Sequence, residues 1–209
     1  MKSIHAEAVM QLARVRSYLR LQDVASIGVP RVVLTRLVRC GQLERVGRGL
    51  YRHPAQQRSA YDDLIAVANR GGRGVFCLLS ALHFHGVIPA PKNGVWLALP
   101  KEVKQPHLNS PHLYVTRFYG RVFAEGIEVH CVEGFSIRVY SLEKTLADCF
   151  KFRNKVGLGV ALNALKRAWL NRDVELEKLL YYAGVCRVDQ IIRPYLNSLI
   201  WLKRGDRKA

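Results

Sequence analysis

The stretch from Asp23 to His53, DVASIGVPRVVLTRLVRCGQLERVGRGLYRH, most constrains what this chain can fold into, because it sets out a helix, a turn, a second helix and a basic hairpin in order. A short helix over residues 22–27 breaks at Gly28, where the missing Cβ lets the chain turn, and Pro30 suits the first position of the next helix. That helix is predicted over residues 30–40. At about 100° per residue, Val33, Leu34, Leu37, Val38 and Cys40 gather on one side, and Arg31, Val32, Thr35, Arg36 and Arg39 on the other. An ordinary surface helix mixes acids with bases, yet this polar face holds three arginines and no carboxylate. Arginine suits bidentate contacts with guanine edges and phosphate oxygens.

Gly41 ends the helix, as glycine commonly does. Residues 42–46 and 50–53 then read as two short strands joined through Gly47-Arg48-Gly49, a turn that tolerates positive φ and presents an arginine at its tip. Helix, turn, helix and wing in this order define a winged helix-turn-helix that binds DNA. Its expected contact set is Arg31, Thr35, Arg36 and Arg39 on the helix with Arg45, Arg48 and Arg52 on the wing. The alternative is a helical hairpin whose basic face is merely solvated.

The module uses only the first quarter of a 209-residue chain, so a second domain is expected. The polar run Ala55-Gln56-Gln57-Arg58-Ser59 reads as the linker, with a DNA-binding domain over residues 1–58 and a larger one over 59–209. Thirty-three basic residues against 16 acidic ones leave a formal charge of +17, which suits a polyanionic partner. Residues 1–58 alone carry 11 basic and three acidic groups, and all the basic ones except Lys2 are arginines. A membrane surface would also attract such charge, but there is neither a long polybasic run nor an amphipathic helix with bulky aromatics. No apolar run approaches the roughly 18 residues of a membrane span, and MKSIHAEAVMQLARVR lacks the apolar core of a secretion signal. A cytoplasmic protein is expected. Five scattered cysteines without a Cys-x-x-Cys pair argue against a disulfide framework or structural zinc, and most read as small buried hydrophobes.

The first helix is predicted over residues 5–19, with Val9, Leu12, Ala13 and Leu19 beneath the reading helix. Beyond the linker, residues 61–69 read as helix, and 95–99, 113–118, 127–132 and 137–140 as β-branched or aromatic strands, the last two a hairpin through Glu133-Gly134. Helical patterns follow over 142–153, 158–171, 175–183 and 188–202. The fold class is therefore α+β: a winged helix-turn-helix followed by a larger mixed domain with a helical carboxy-terminal part.

Catalytic readings are weak. His83 and His85 stand two apart in a helical pattern and diverge by about 200°, so a packing or polar-contact role is favoured over zinc. Glu125, Glu128 and Glu133 cluster without a nuclease pattern, and Ser80 precedes His83 without a Gly-x-Ser-x-Gly elbow. The turn Arg70-Gly71-Gly72-Arg73-Gly74 lacks the Gly-Lys-Ser/Thr ending of a nucleotide loop. No enzyme activity, metal or cofactor is expected.

GVPRVVLTRLVRCGQLERVGRGLYRHP, SALHFHGV at Ser80–Val87, VWLALP at Val95–Pro100 and IRVYSLEKTLADCFKFRNKVGL together resemble the AbiEi antitoxin family of abortive-infection type IV toxin-antitoxin systems. The resemblance implies an amino-terminal winged helix that binds inverted repeats in its own promoter and a carboxy-terminal antitoxin domain. It also implies a partner gene encoding a nucleotidyltransferase-like toxin, countered directly or indirectly. No Gly-Ser with a following Asp-x-Asp pair is present, so the chain resembles the antitoxin and not the toxin.

In YSLEKTLADCFKFRNKVGL, Ser141 suits a helix cap, and Leu142, Leu146 and Cys149 form an apolar stripe. Lys144, Asp148 and Lys151 fall opposite, with Arg153 and Lys155 just after; this is the first candidate antitoxin surface, the alternative being a solvated, self-paired face. The competing functional class is a winged-helix regulator whose second domain binds a small effector, which would need a pocket with convergent polar groups.

Overall fold

The computed structural model describes residues 4–205 except 71, 109 and 172, with the backbone alone for residues 202–205. Lys2 and Gly71, named above, lie outside the described residues. The elements in chain order are α1 (Ile4–Val15), β1 (Leu19–Arg20), α2 (Leu21–Ser26), α3 (Arg31–Arg39), β2 (Glu44–Gly47), β3 (Leu50–Arg52) and α4 (Asp62–Ala68). There follow β4 (Val75–Phe76), α5 (Leu78–Phe84), β5 (Val95–Leu99), β6 (Leu113–Arg117), α6 (Gly120–Ala124), β7 (Ile127–Val132), β8 (Phe135–Tyr140) and α7 (Leu142–Lys151). The chain ends in α8 (Arg153–Val156), α9 (Leu158–Leu170), α10 (Leu176–Cys186) and α11 (Asp189–Gly205). The architecture is α+β, as the residue pattern indicates. Among the described residues, no helix is long and apolar enough to cross a membrane.

Two compact units divide the chain, the first reaching to Gly72 and also taking in Cys131–Ser136. Its three-stranded antiparallel sheet has the order β1-β3-β2. Val9, Ala13, Leu19, Val24, Val33, Leu34, Leu37 and Leu43 close a core between α1, α2, α3 and this sheet. Burying each large aliphatic side chain contributes about 1.5–3 kcal/mol. The first helix stops at Val15, short of the expected residue 19, because Leu19 pairs with Tyr51 and Arg20 with Leu50 to form the edge strand. Leu19 is fully buried, as its apolar character implies, but on a strand and not a helix.

The unit also extends past the expected boundary at residues 58/59. Helix α4 lies against the wing: a Cβ built on Gly47 would stand 3.4 Å from the Ala66 Cβ. Asp62, at the start of α4, collects the Tyr18 hydroxyl, the Arg52 guanidinium at 2.5 Å and the Ser59 N–H at 3.2 Å. Burial and the neighbouring Asp62 carboxylate push the Tyr18 phenol well above its ordinary range. Within the same unit, the Tyr18 ring meets Phe135 edge-on at 5.6 Å, and Arg20 lies 4.0 Å above the Phe135 ring and donates to the Gly134 carbonyl.

The second unit contains a five-stranded mixed sheet of order β6-β5-β4-β8-β7. Its central strand is the two-residue β4, antiparallel to β5 and parallel to β8. So short a strand has no alternation to read, and it escaped the sequence pattern. Helix α7 runs through the middle of the helical layer, contacting α5, α9, α10 and α11. Every residue from Leu142 to Phe150 is buried in consequence. The close fit reaches the backbone: a Cβ on Gly126, at φ +76°, would stand 2.8 Å from the Lys144 Cβ. Ser80, considered above as a nucleophile, instead accepts the Trp96 N–H at 2.8 Å. His83 and His85 both sit at the end of α5, His83 Nδ1 at 3.4 Å from the Ile88 carbonyl and His85 Nε2 at 2.8 Å from the Tyr140 carbonyl.

Candidate nucleic-acid interface

Helix α3 is presented by tight turns at both ends. Before it, Gly28 takes φ +71° and the Val29 N–H returns to the Val24 carbonyl, so the chain reverses between α2 and α3. After it, Gly41 takes φ +67°, with Gly41 N–H on the Val38 carbonyl and Gln42 N–H on the Leu37 carbonyl. This is the Schellman pattern, in which a left-handed residue satisfies the last helical carbonyls. Leu34 and Leu37 point inward with no more than 2% exposure, and Val33 joins them.

The opposite face is open. Arg31, Thr35, Arg36 and Arg39 are all exposed. Among the described residues, none of these arginines has an ion-pair partner, while the nearby carboxylates are taken: Asp23 by Arg16 at 2.9 Å, and Glu44 and Asp62 by Arg52. Unpaired guanidinium groups on one face make a strong local positive potential. Val32 also stands on this face, 70% exposed, and lies outside the expected contact set. An exposed apolar group among arginines can meet a thymine methyl, and only its exposure singles it out.

The wing carries Arg45 and Arg48, both exposed. Gly49 adopts φ +72°, and the Arg48 carbonyl accepts Asn69 Nδ2 at 3.2 Å, which holds the tip while leaving its side chain outside. Arg52 does not belong with them. It is 4% exposed and divides its guanidinium between Glu44 at 2.8 Å and Asp62 at 2.5 Å. Burial on both faces of β3 explains the correction: Leu50, Tyr51 and Arg52 are all covered, and the Arg52 guanidinium is held by Asp62 at the start of α4, where it cannot reach a ligand.

The second expected surface fails at its centre. Lys144 and Asp148 are fully buried, their side chains paired at 2.6 Å. The Lys144 ammonium lies 4.3 Å from the Tyr140 ring centre and 4.9 Å from that of Phe118, and Asp148 accepts the Cys186 thiol at 3.2 Å. Burial pushes the Asp148 carboxyl above its usual range, with Lys144 opposing. Burial and then Asp148 push the Cys186 thiol up to about 12. Lys151 is half-buried and donates to the Cys186 carbonyl at 2.9 Å; Arg153, also half-buried, donates to Phe150 at 3.0 Å. Of the five residues, Lys155 alone is exposed, its ammonium 5.5 Å from the Phe152 ring centre. The cause is packing: α7 is covered on the face where solvent was expected. Among the described residues no group of three or more His, Cys, Asp or Glu side chains could hold a metal ion.

A small helical core, a three-stranded sheet, an unpaired arginine face and a basic wing tip define a winged-helix DNA-binding regulator. Residues 7–54, which hold the helix-turn-helix and wing, match the family described as "Transcriptional regulator, AbiEi antitoxin". The crystal structure of RV2827C protein from Mycobacterium tuberculosis is similar in fold, with a TM-score of 0.62 and 16% identity over 86% of this chain and 71% of that one. No functionally curated protein matches the chain.

Proposed function

We propose that this protein is the antitoxin of a type IV toxin-antitoxin operon, repressing that operon through inverted repeats in its promoter and countering a nucleotidyltransferase-like toxin. The observation that carries the reading is the unpaired face of Arg31, Arg36 and Arg39 beside the exposed Arg48, within the segment that matches the family. Arg31, Thr35, Arg36 and Arg39 reach base edges and phosphates of the major groove, and Arg45 and Arg48 hold the flanking backbone. Each arginine that neutralises a phosphate releases condensed counterions. Antitoxin activity is assigned to the second unit, whose buried core leaves Lys155 as the exposed member of the expected surface.

Two measurements test this. A fragment of the chain's own promoter should bind in fluorescence anisotropy with log K falling steeply against log salt, and a scrambled fragment should bind much more weakly. Absence of binding at low salt removes DNA from the account. Co-expression with the adjacent gene product should restore growth, and should do so in an Arg36→Ala/Arg39→Ala variant that no longer represses. Failure of the wild-type chain to rescue removes the toxin while leaving the repressor.

A further inference from the structure

A cleft of about 480 Å³ opens in the second unit beside the β6–α6 turn, the end of α7 and the turn after α10. Its size lies within the roughly 300–1,000 Å³ of small-molecule sites. Arg117, Arg121, Lys151 and Arg187 line it, with Phe118, Tyr119 and Phe152, and no lining residue is acidic. Four cations with no acidic group in the lining give the cleft a positive potential that favours an anion.

The four cations differ in how far they are engaged. Arg121 is paired with Glu125 at 2.6 Å and reaches Tyr181 at 3.2 Å. Arg117 uses one guanidinium nitrogen on the carbonyls of Pro100 and Val103, at 2.6 and 2.5 Å, which fixes the fork in place. Lys151 has one carbonyl contact, with Cys186, and can offer its other protons. The Arg187 guanidinium has no hydrogen-bond or ion-pair partner among the described residues, and the residue's backbone is left-handed at φ 57°, ψ 45°. Its N–H meets the Gly184 carbonyl and the Val188 N–H the Ala183 carbonyl, so an arginine stands where a helix terminus normally has glycine. The carboxylates on the neighbouring elements are committed: Glu125 to Arg121, Asp189 to Arg193 at 2.7 Å, and the buried Asp148 to Lys144.

The ring content separates this cleft from a simple anion site. Phe118 is stacked between Tyr140 and Phe152, at 5.5 and 5.2 Å with 12° between planes, which makes a rigid floor. Tyr119 leaves 59% of its surface exposed at the edge. Cations attract phosphate; an exposed ring adds nothing for phosphate but stacks on a planar base. We propose that this cleft binds a nucleotide, its phosphates on Arg187, Lys151 and Arg117 and its base against Tyr119. A free nucleotide and the end of a single strand share that chemistry. The proposal is independent of promoter binding, which uses the other unit.

Calorimetry of the full chain with ATP, GTP, CTP and UTP tests it, alongside pyrophosphate, the matching nucleosides and a short single-stranded oligonucleotide. At least one nucleotide should bind at one per chain, and at least tenfold more tightly than both pyrophosphate and its nucleoside. Arg187→Asn, which keeps a side chain that tolerates the left-handed backbone, and Tyr119→Leu should each weaken binding tenfold or more with unchanged melting temperature. Arg36→Ala/Arg39→Ala should bind the nucleotide as wild type does while losing the promoter. An oligonucleotide that competes more tightly than the free nucleotide identifies a strand end as the source. No heat with any of the four at millimolar concentration overturns the proposal; so does pyrophosphate binding as tightly, or full affinity in folded Arg187→Asn.

Discussion

Helices α3 and α7 both set charged side chains opposite an apolar stripe, yet α3 presents them to solvent and α7 encloses most of them. The difference lies partly in their chemistry. On α3 the charges have one sign, so none can neutralise another, and burying them would leave several uncompensated cations. On α7, Lys144 and Asp148 stand at i and i+4 with opposite signs, and the pair is satisfied without water. Their neighbours complete the difference: α3 touches α1 and α2, whereas α7 is wrapped by α5, α9, α10 and α11. A charged stripe of one sign argues for the surface, but a self-paired stripe is compatible with either place.

The largest expected effect breaks the α7 side of this contrast. Lys144→Met should cost about 3–5 kcal/mol in denaturant unfolding, because Asp148 then stays buried without its partner. The double change Lys144→Met/Asp148→Leu should recover much of that loss. A neutral Lys144→Met would mean that the pair is solvated. Leu37→Ala, under α3, should lower stability by about 2–5 kcal/mol through the cavity it leaves, with promoter binding lost only as the fold is lost.

On the open face of α3, Arg36→Ala or Arg39→Ala should remove about 1–3 kcal/mol of specific binding while thermal melts stay unchanged. Arg52→Ala should do the reverse, lowering the melting temperature first, since its guanidinium holds Glu44 and Asp62. Unimpaired specificity after combining Arg36 and Arg39 substitutions would show that another face reads the DNA. Arg48→Ala should weaken binding across sequences and shallow the salt slope by about one.

The smallest effect is chemical. In the native protein, exposed Cys40 and Cys131 should react with a thiol reagent at neutral pH, while buried Cys77, Cys149 and Cys186 wait for unfolding. The Cys186 thiol, pushed up to about 12, keeps its proton in the fold at pH values where the unfolded chain loses it. Its contribution to stability is therefore constant below about pH 8.5 and falls above it. Five equally fast native thiols would contradict this burial.

Much of the DNA-binding module was legible because its signals are local. Gly28, Pro30 and Gly41 mark helix ends, and the 3.6-residue period sorts α3 into two faces. The second unit was legible where strands are long enough to alternate: β5 and β7 fall on the expected residues. β1 and β4, two residues each, carry no period and exist only through their partners in the sheets. Arg52 could not be told from Arg45 or Arg48 by composition, since its burial depends on Asp62, ten residues away.

By itself the sequence determined the α+β class, the helix-turn-helix with its wing and the one-signed arginine face, because short-range sterics and periodicity act within a few turns of chain. Only the tertiary structure decided that Arg52, Lys144 and Asp148 are interior, that Leu19 is strand, and that Arg117, Lys151 and Arg187 meet around one cleft. Those facts depend on which distant segments cover a side chain, and an ionic group's solvation is a property of its surroundings, not of its place along the chain.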